Sequence, residues 1–208
     1  MKLLLTAFEP FNGGQVNPSQ LVLEQVNAPD GIELIKVLLP VEFKKTTKII
    51  RQLLQEHQPD VVISLGQAGN RPEICVERVA INVDCVRASN GQSELADNTG
   101  YKPVDIPIEA DGESAYFSTL PIWELVAAIK AQNVSGAVSN TAGTYVCNHV
   151  MYTVLYEAAR HYPEMKAGFI HLPFLPEQMT GRSTGFVMDF EDMVKGIQAV
   201  IILIGTGR

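Results

Sequence analysis

Positive charge is in short supply: 16 Lys and Arg stand against 23 Asp and Glu, a formal net charge of -7. Nucleic acids and anionic membranes attract clustered cations, so neither is an expected partner. Long apolar runs are also missing. The longest, Ala199 to Ile204, falls far short of the ~20 residues of a membrane span. Met1 to Thr6 lacks the apolar core and cleavage site of a signal peptide, so a cytoplasmic protein is expected. The three cysteines, at 75, 85 and 147, are too few and too widely spaced for a disulfide framework or a zinc site. His149, two residues beyond Cys147, points away from it on a helix. Neither a metal nor a cofactor is expected, and Cys75 and Cys85 read as buried thiols. Internal repeats and low-complexity linkers are absent.

What the chain does have is 208 residues with 46% hydrophobic content, enough for one domain, 1–208, with a sizeable core. Hydrophobic periodicity predicts strand 2–8, helix 18–28, strand 32–39, helix 42–57, strand 60–65, strand 74–84, helix 121–132, strand 134–139, helix 145–162, strand 167–172 and a last helix near 189–203. Such alternation implies an α/β fold, a three-layer α/β/α sandwich around a mixed, largely parallel twisted sheet. Asn17 and Pro18 supply an N-cap and a first-turn proline. The segment from Arg87 to Ala115 has no period and exceeds ordinary loop lengths, which suggests a hairpin or a lid. Val200 to Ile204 reads as core rather than interface.

The most informative stretch is Ser139-Asn140-Thr141-Ala142-Gly143-Thr144-Tyr145-Val146-Cys147-Asn148, which puts a cysteine just past a glycine turn at the start of a helix. The leading N–H groups of a helix lack intrahelical partners and carry the positive end of its dipole, so a lowered thiol pKa is expected there. Strand 134–139, helix 145–162 and strand 167–172 read as a βαβ unit with a right-handed crossover. That geometry places Cys147 and His171 at one sheet edge, where open α/β folds bind ligands, as a nucleophile and its base. Alternation over 75–83 puts Glu77 on the more apolar face, where an imidazolium would be a fitting partner. Spacing alone is also satisfied by a small buried hydrophobe at 147, a structural histidine at 171 and a Glu77–Arg78 pair.

Two long motifs resemble the pyroglutamyl peptidases, a family of cytoplasmic cysteine peptidases. One is the run just quoted. The other is Gly66-Gln67-Ala68-Gly69-Asn70-Arg71 leading into Val76-Glu77-Arg78-Val79-Ala80-Ile81-Asn82. Thr6-Ala7-Phe8-Glu9-Pro10-Phe11-Asn12-Gly13-Gly14, Tyr116 to Pro121 and Gly168 to Pro173 are similar to further family segments, and the likeness extends to about Gln178. The resemblance implies Cys147 as nucleophile, His171 as base and Glu77 as the acid that orients it, with Arg87 and the Cys147 N–H at the oxyanion. The implied substrates are peptides with an N-terminal pyroglutamate, hydrolysed through a thioester on Cys147, by a homotetramer or dimer.

A pocket for that substrate must hold a small uncharged lactam and reject a free α-amine. Phe8 and Phe11 are suited to sandwich the ring, Gln67 to offer a donor and an acceptor to the lactam amide, and Tyr145 and Val146 complete the substrate-binding set. The chain departs from the family pattern at Asn12, Asn70 and Cys75, in a longer stretch from Arg87 to Asp97, and from Met179 onward. Two other readings are open to the sequence. Gly13-Gly14 and Gly66 to Gly69 could cradle phosphate, as in a nucleoside phosphorylase, although no lysine follows in P-loop spacing. Alternatively, the chain could bind modified peptide N-termini without turnover.

Overall fold

The computed structural model describes residues 1–87, 95–180 and 184–207. Strand β1 (Lys2–Phe8) is an almost unbroken apolar run, which marks a strand buried on both faces. Helix α1 (Pro18–Gln25) starts as expected: the Asn17 side chain accepts from the Ser19 N–H at 3.0 Å and Pro18 occupies the first turn. Strand β2 (Glu33–Leu39), helix α2 (Phe43–His57) and strand β3 (Val61–Gln67) follow. After them come β4 (Ile74–Glu77), β5 (Val79–Ile81), β6 (Ala115–Phe117), helix α3 (Ile122–Lys130), β7 (Gly136–Ser139), helix α4 (Val146–His161), β8 (Lys166–Leu172) and helix α5 (Phe190–Gly205).

The main sheet has six strands in the order β2-β1-β3-β8-β4-β7. Four run one way, and β4 and β7 run the other, because β4 pairs antiparallel with β8 and parallel with β7. Helices α1, α3 and α5 bury Val22, Leu125, Ile129, Ile197 and Val200 against one face, over Leu3, Leu5 and Ile63. On the other face α2 and α4 bury Ile50, Leu54, Val150 and Val154 over Leu4, Val62 and Ala167. This is the expected three-layer α/β/α sandwich with a mixed, largely parallel sheet. Each fully buried Leu or Ile contributes about 1.5–3 kcal/mol through its removal from water. In the C-terminal apolar run Val200, Ile201 and Ile204 are core, as expected, and Ile202 is 48% exposed.

Two expectations are corrected. The predicted strand 74–84 breaks at Arg78: β4 stays in the main sheet, whereas β5 pairs with β6 in a separate two-stranded sheet. Alternation continues through the break, but a period of two cannot reveal a change of sheet. The βαβ unit is also absent, because β7 and β8 are antiparallel with β4 between them. Helix α4 and β8 form a consecutive pair instead, with the chain reversing over Tyr162 to Met165, where the Met165 N–H donates to the Tyr162 carbonyl at 2.9 Å. In the segment expected to be a hairpin or lid, β6 begins at Ala115 and Asp84 bridges Ile106. Residues 88–94 of that segment, and 181–183 of the divergent C-terminal loop, lie outside the described residues.

Candidate active site

Cys147 and His171 do line one cavity at the carboxyl edge of β1, β3 and β8, through a different topology from the expected one. His171 lies in β8 beside Gly66 of β3. A Cβ added at Gly66 would stand 2.7 Å from the Phe169 ring and 3.0 Å from Cys147 Sγ. The glycine therefore clears the space into which the helix brings its sulfur. Helix α4 reaches this edge because it packs along β8 and then turns directly into it, so its N-terminus stands over the strand's end. Gly143, at φ +79, supplies the left-handed turn just before the helix.

The helix start is tied to β5 and the segment after it. Asn148, fully buried, accepts from the Ile81 N–H at 3.0 Å and donates to the Ile81 and Val83 carbonyls at 2.9 and 3.1 Å. Thr144 exchanges two hydrogen bonds with Cys85, at 2.6 and 2.9 Å. His149 points away from Cys147, as expected, to Asp84 at 2.8 Å and Thr47 at 2.5 Å. Among the described residues no side chain caps α4, whose N-cap is Tyr145, so the leading N–H groups of its first turn are available to an oxygen anion.

Glu77 and His171 are brought together: Nδ1 of the imidazole lies 2.7 Å from Glu77 Oε1, and both side chains are almost wholly buried. The Nδ1–H donates to the carboxylate, which leaves Nε2 as the acceptor toward the cavity. The same Oε1 accepts from Arg71 Nη1, and Arg71 Nη2 donates to the Thr141 carbonyl at 2.5 Å. Arg71 thereby joins the β3–β4 loop, the acid and the turn before α4. The expected pairing of Glu77 with an imidazole is thus present, and the arginine that joins it is Arg71 rather than the neighbouring Arg78.

Cys147 and His171 face a cavity of about 390 Å³ whose walls include Phe8, Phe11, Gln67, Tyr145 and Val146, all five of the expected substrate-binding residues. Phe8 is also core, its ring 6.3 Å from that of Phe169. Phe11 is half-buried, and its ring neighbour is Tyr145, at 6.1 Å. The Tyr145 hydroxyl donates to the Ala96 carbonyl at 2.9 Å, and burial pushes its pKa up. Arg87, expected at the oxyanion, is exposed and is not among the residues that line the cavity, whereas Arg71 is. The chain beyond it enters 88–94, which lie outside the described residues. Asn17, Asn70 and Arg71 also border the cavity and were given no site role from sequence. For Arg71 the available signal was its place in the glycine motif, six residues before Glu77.

The expectation of a lowered thiol pKa is reversed. Burial, together with the negative charge of Glu77, pushes the Cys147 thiol up to about 12, with Arg71 and its own backbone N–H pulling weakly the other way. At rest the Cys147 thiol is neutral, and to act as a nucleophile it would need a base. Two glycines of the phosphate-loop reading are occupied otherwise: Gly66 makes room for Cys147, and a Cβ at Gly69 would collide with the Phe174 ring.

Residues 1–206 match the family model described as pyroglutamyl peptidase. A pyrrolidone-carboxylate peptidase of Alkaliphilus oremlandii is 44% identical over 205 residues, covering 97% of this chain and 92% of the relative. Pyrrolidone-carboxylate peptidase 1 of Caldanaerobacter subterraneus subsp. tengcongensis is 46% identical, with 98% of each covered. Among solved structures, pyroglutamyl peptidase I from Bacillus amyloliquefaciens superposes with a TM-score of 0.90 at 36% identity, covering 98% of this chain and 94% of that one. With a family match over almost its whole length and relatives of this similarity, the chain belongs to the pyroglutamyl peptidases, a family of cysteine peptidases.

Proposed function

We propose that this chain is a cysteine exopeptidase that removes N-terminal pyroglutamate from peptides, with Cys147 as nucleophile, His171 as general base and acid, and Glu77 as its orienting acid. The observation that carries this reading is the 2.7 Å contact of His171 Nδ1 with Glu77, which directs Nε2 into the cavity that Cys147 shares. Nε2 takes the thiol proton as Sγ attacks the pyroglutamyl carbonyl carbon. The oxyanion gathers at the open N–H groups of α4. As the tetrahedral intermediate collapses, the C–N bond breaks, His171 returns the proton to the leaving amine, and a 5-oxoprolyl thioester remains on Cys147. Water, deprotonated by the same nitrogen, attacks the thioester and restores the thiol. Glu77 stabilises the imidazolium that forms twice in each cycle.

Phe11, Tyr145, Phe8 and Val146 provide apolar walls for the ring, and Gln67 a polar group for its amide. An arginine for the oxyanion is better sought in Arg71, which borders the cavity, than in Arg87. One catalytic unit spanning 1–208 is supported by a site drawn from β1, β3, β4, α4 and β8 together. Among the described residues no helix is long and apolar enough to cross a membrane. A cytoplasmic location suits the three free cysteines, which a reducing compartment would preserve. Homo-oligomer formation, as a tetramer or dimer, is supported by the exposed rings of Phe117 and Trp123, and sizing in solution tests it.

The deciding experiment is release of a fluorophore from a pyroglutamyl amide, with a prolyl amide as control, by the wild-type chain and Cys147→Ser. Turnover is expected on the pyroglutamyl substrate alone, with a loss of at least about a thousandfold in the variant. A folded, reduced wild type without turnover would overturn the reading.

A further inference from the structure

Gln178 lies outside the catalytic group, in a short 3-10 turn, Pro176–Met179, after β8. Its amide has no freedom of orientation. Oε1 accepts the Leu175 N–H at 2.9 Å, and Nε2 donates to the Val16 carbonyl at 3.2 Å. A backbone N–H can only donate and a backbone carbonyl can only accept, so a flipped amide would lose both bonds. The second Nε2 hydrogen then goes to Gln67 Oε1, at 2.9 Å. Gln67 lines the cavity beside Cys147 and His171. With its oxygen turned to Gln178, the end left for a ligand is the NH₂. This narrows the sequence expectation that Gln67 offers both a donor and an acceptor.

We propose that Gln178 is a positioning residue for specificity: it sets the polarity of Gln67, so that the pocket presents an N–H donor to the ring carbonyl of pyroglutamate and disfavours a five-membered ring that lacks this oxygen. The proposal rests on the pyroglutamyl-peptidase reading. Proline differs from pyroglutamate in having no ring carbonyl, so a donor placed for that oxygen is left unpaired when proline occupies the pocket, and an unpaired buried donor is costly. Gln178 touches no reacting atom, and its effect on the ligand passes through Gln67.

The test compares wild type, Gln178→Glu and Gln178→Leu on pyroglutamyl and prolyl amides. In Gln178→Glu the carboxylate can still accept the Leu175 N–H, but its other oxygen also accepts. Gln67 must then turn its NH₂ toward residue 178 and its oxygen toward the cavity. KM for the pyroglutamyl amide is expected to rise about tenfold to a hundredfold, with kcat within about threefold and selectivity over the prolyl amide falling in step. Lowering the pH toward 5 is expected to bring KM back toward wild type, because the protonated carboxyl introduced at position 178 again has a donor for Gln67 Oε1. A merely structural role would not produce that recovery. Gln178→Leu, which removes the tether without inverting it, is expected to raise KM about threefold to tenfold and keeps the test open if the glutamate variant does not fold. Unchanged KM and selectivity in the folded variants, or a loss confined to kcat, would overturn the proposal. An inactive wild type would instead count against the peptidase reading itself.

Discussion

At Cys147 two influences oppose each other. The start of α4 favours negative charge on sulfur, and the interior around it disfavours any charge. Burial and the nearby Glu77 prevail, and the pKa goes up to about 12. A raised pKa means that the protonated form dominates at neutral pH, which under the proposed mechanism replaces the ion-pair route with proton removal by His171 as the carbonyl is attacked. Alkylation of the substrate-free protein by iodoacetamide, followed at the Cys147 peptide by mass, is therefore expected to accelerate about tenfold per pH unit from pH 7 to beyond pH 10. A plateau near pH 8 would show a thiolate already present. A departure from the family pattern also finds its reason at this scale. Asn12 has φ +52, in the left-handed region that glycine favours and asparagine tolerates best among side-chain-bearing residues.

Helix α4 is the element on which the site depends. Its 16 residues are buried along most of their length, which secures the helix as a body, but the position of its first turn is determined by polar contacts. Asn148 bonds two carbonyls and one N–H of the 81–83 segment that lack ladder partners where the chain leaves the two-stranded β5–β6 sheet. Replacing Asn148 with Ala leaves the Ile81 N–H and the Val83 carbonyl without this partner, while the Ile81 carbonyl keeps the Val83 N–H, and a destabilisation of about 2–4 kcal/mol is expected from urea unfolding. Since the same contacts position Cys147, kcat on a pyroglutamyl amide is expected to fall at least tenfold in the protein that still folds. A change below about 0.5 kcal/mol would show that packing alone holds the helix start.

Across the whole molecule, several groups that lose a proton at high pH are held neutral by burial. The pKa values of Cys75, Cys147, Tyr145 and Tyr152 are all raised, with desolvation the largest cause for each. A raised folded-state pKa gives stability that is fully present below the unfolded value and is lost as pH rises through the folded one. For the two thiols that loss begins near the ordinary value of 9.0 and, for Cys147, extends to about 12. The urea midpoint is expected to fall steadily above pH 9, and less steeply in a Cys75→Ser, Cys147→Ser double variant. Equal slopes in the two proteins would contradict this.

Local pattern determined a good deal of this protein. Strand 2–8 is found with its predicted bounds, the Asn17 cap and the helix over Cys147 lie where periodicity and turn chemistry put them, and Glu77, Cys147 and His171 were legible from alternation, a helix start and a strand end, although the βαβ unit expected to join Cys147 to His171 does not form. Tertiary structure decided the rest. Strand direction and sheet membership depend on partners distant in sequence, so the antiparallel insertion of β4 and the break at Arg78 left no periodic trace. The bond of Arg71 to Glu77, the grip of Gln178 on Gln67 and the upward shift of the Cys147 pKa arise from groups that are neighbours only after folding. Hydrogen-bond polarity and desolvation are properties of such surroundings, and a residue's sequence neighbours do not contain them.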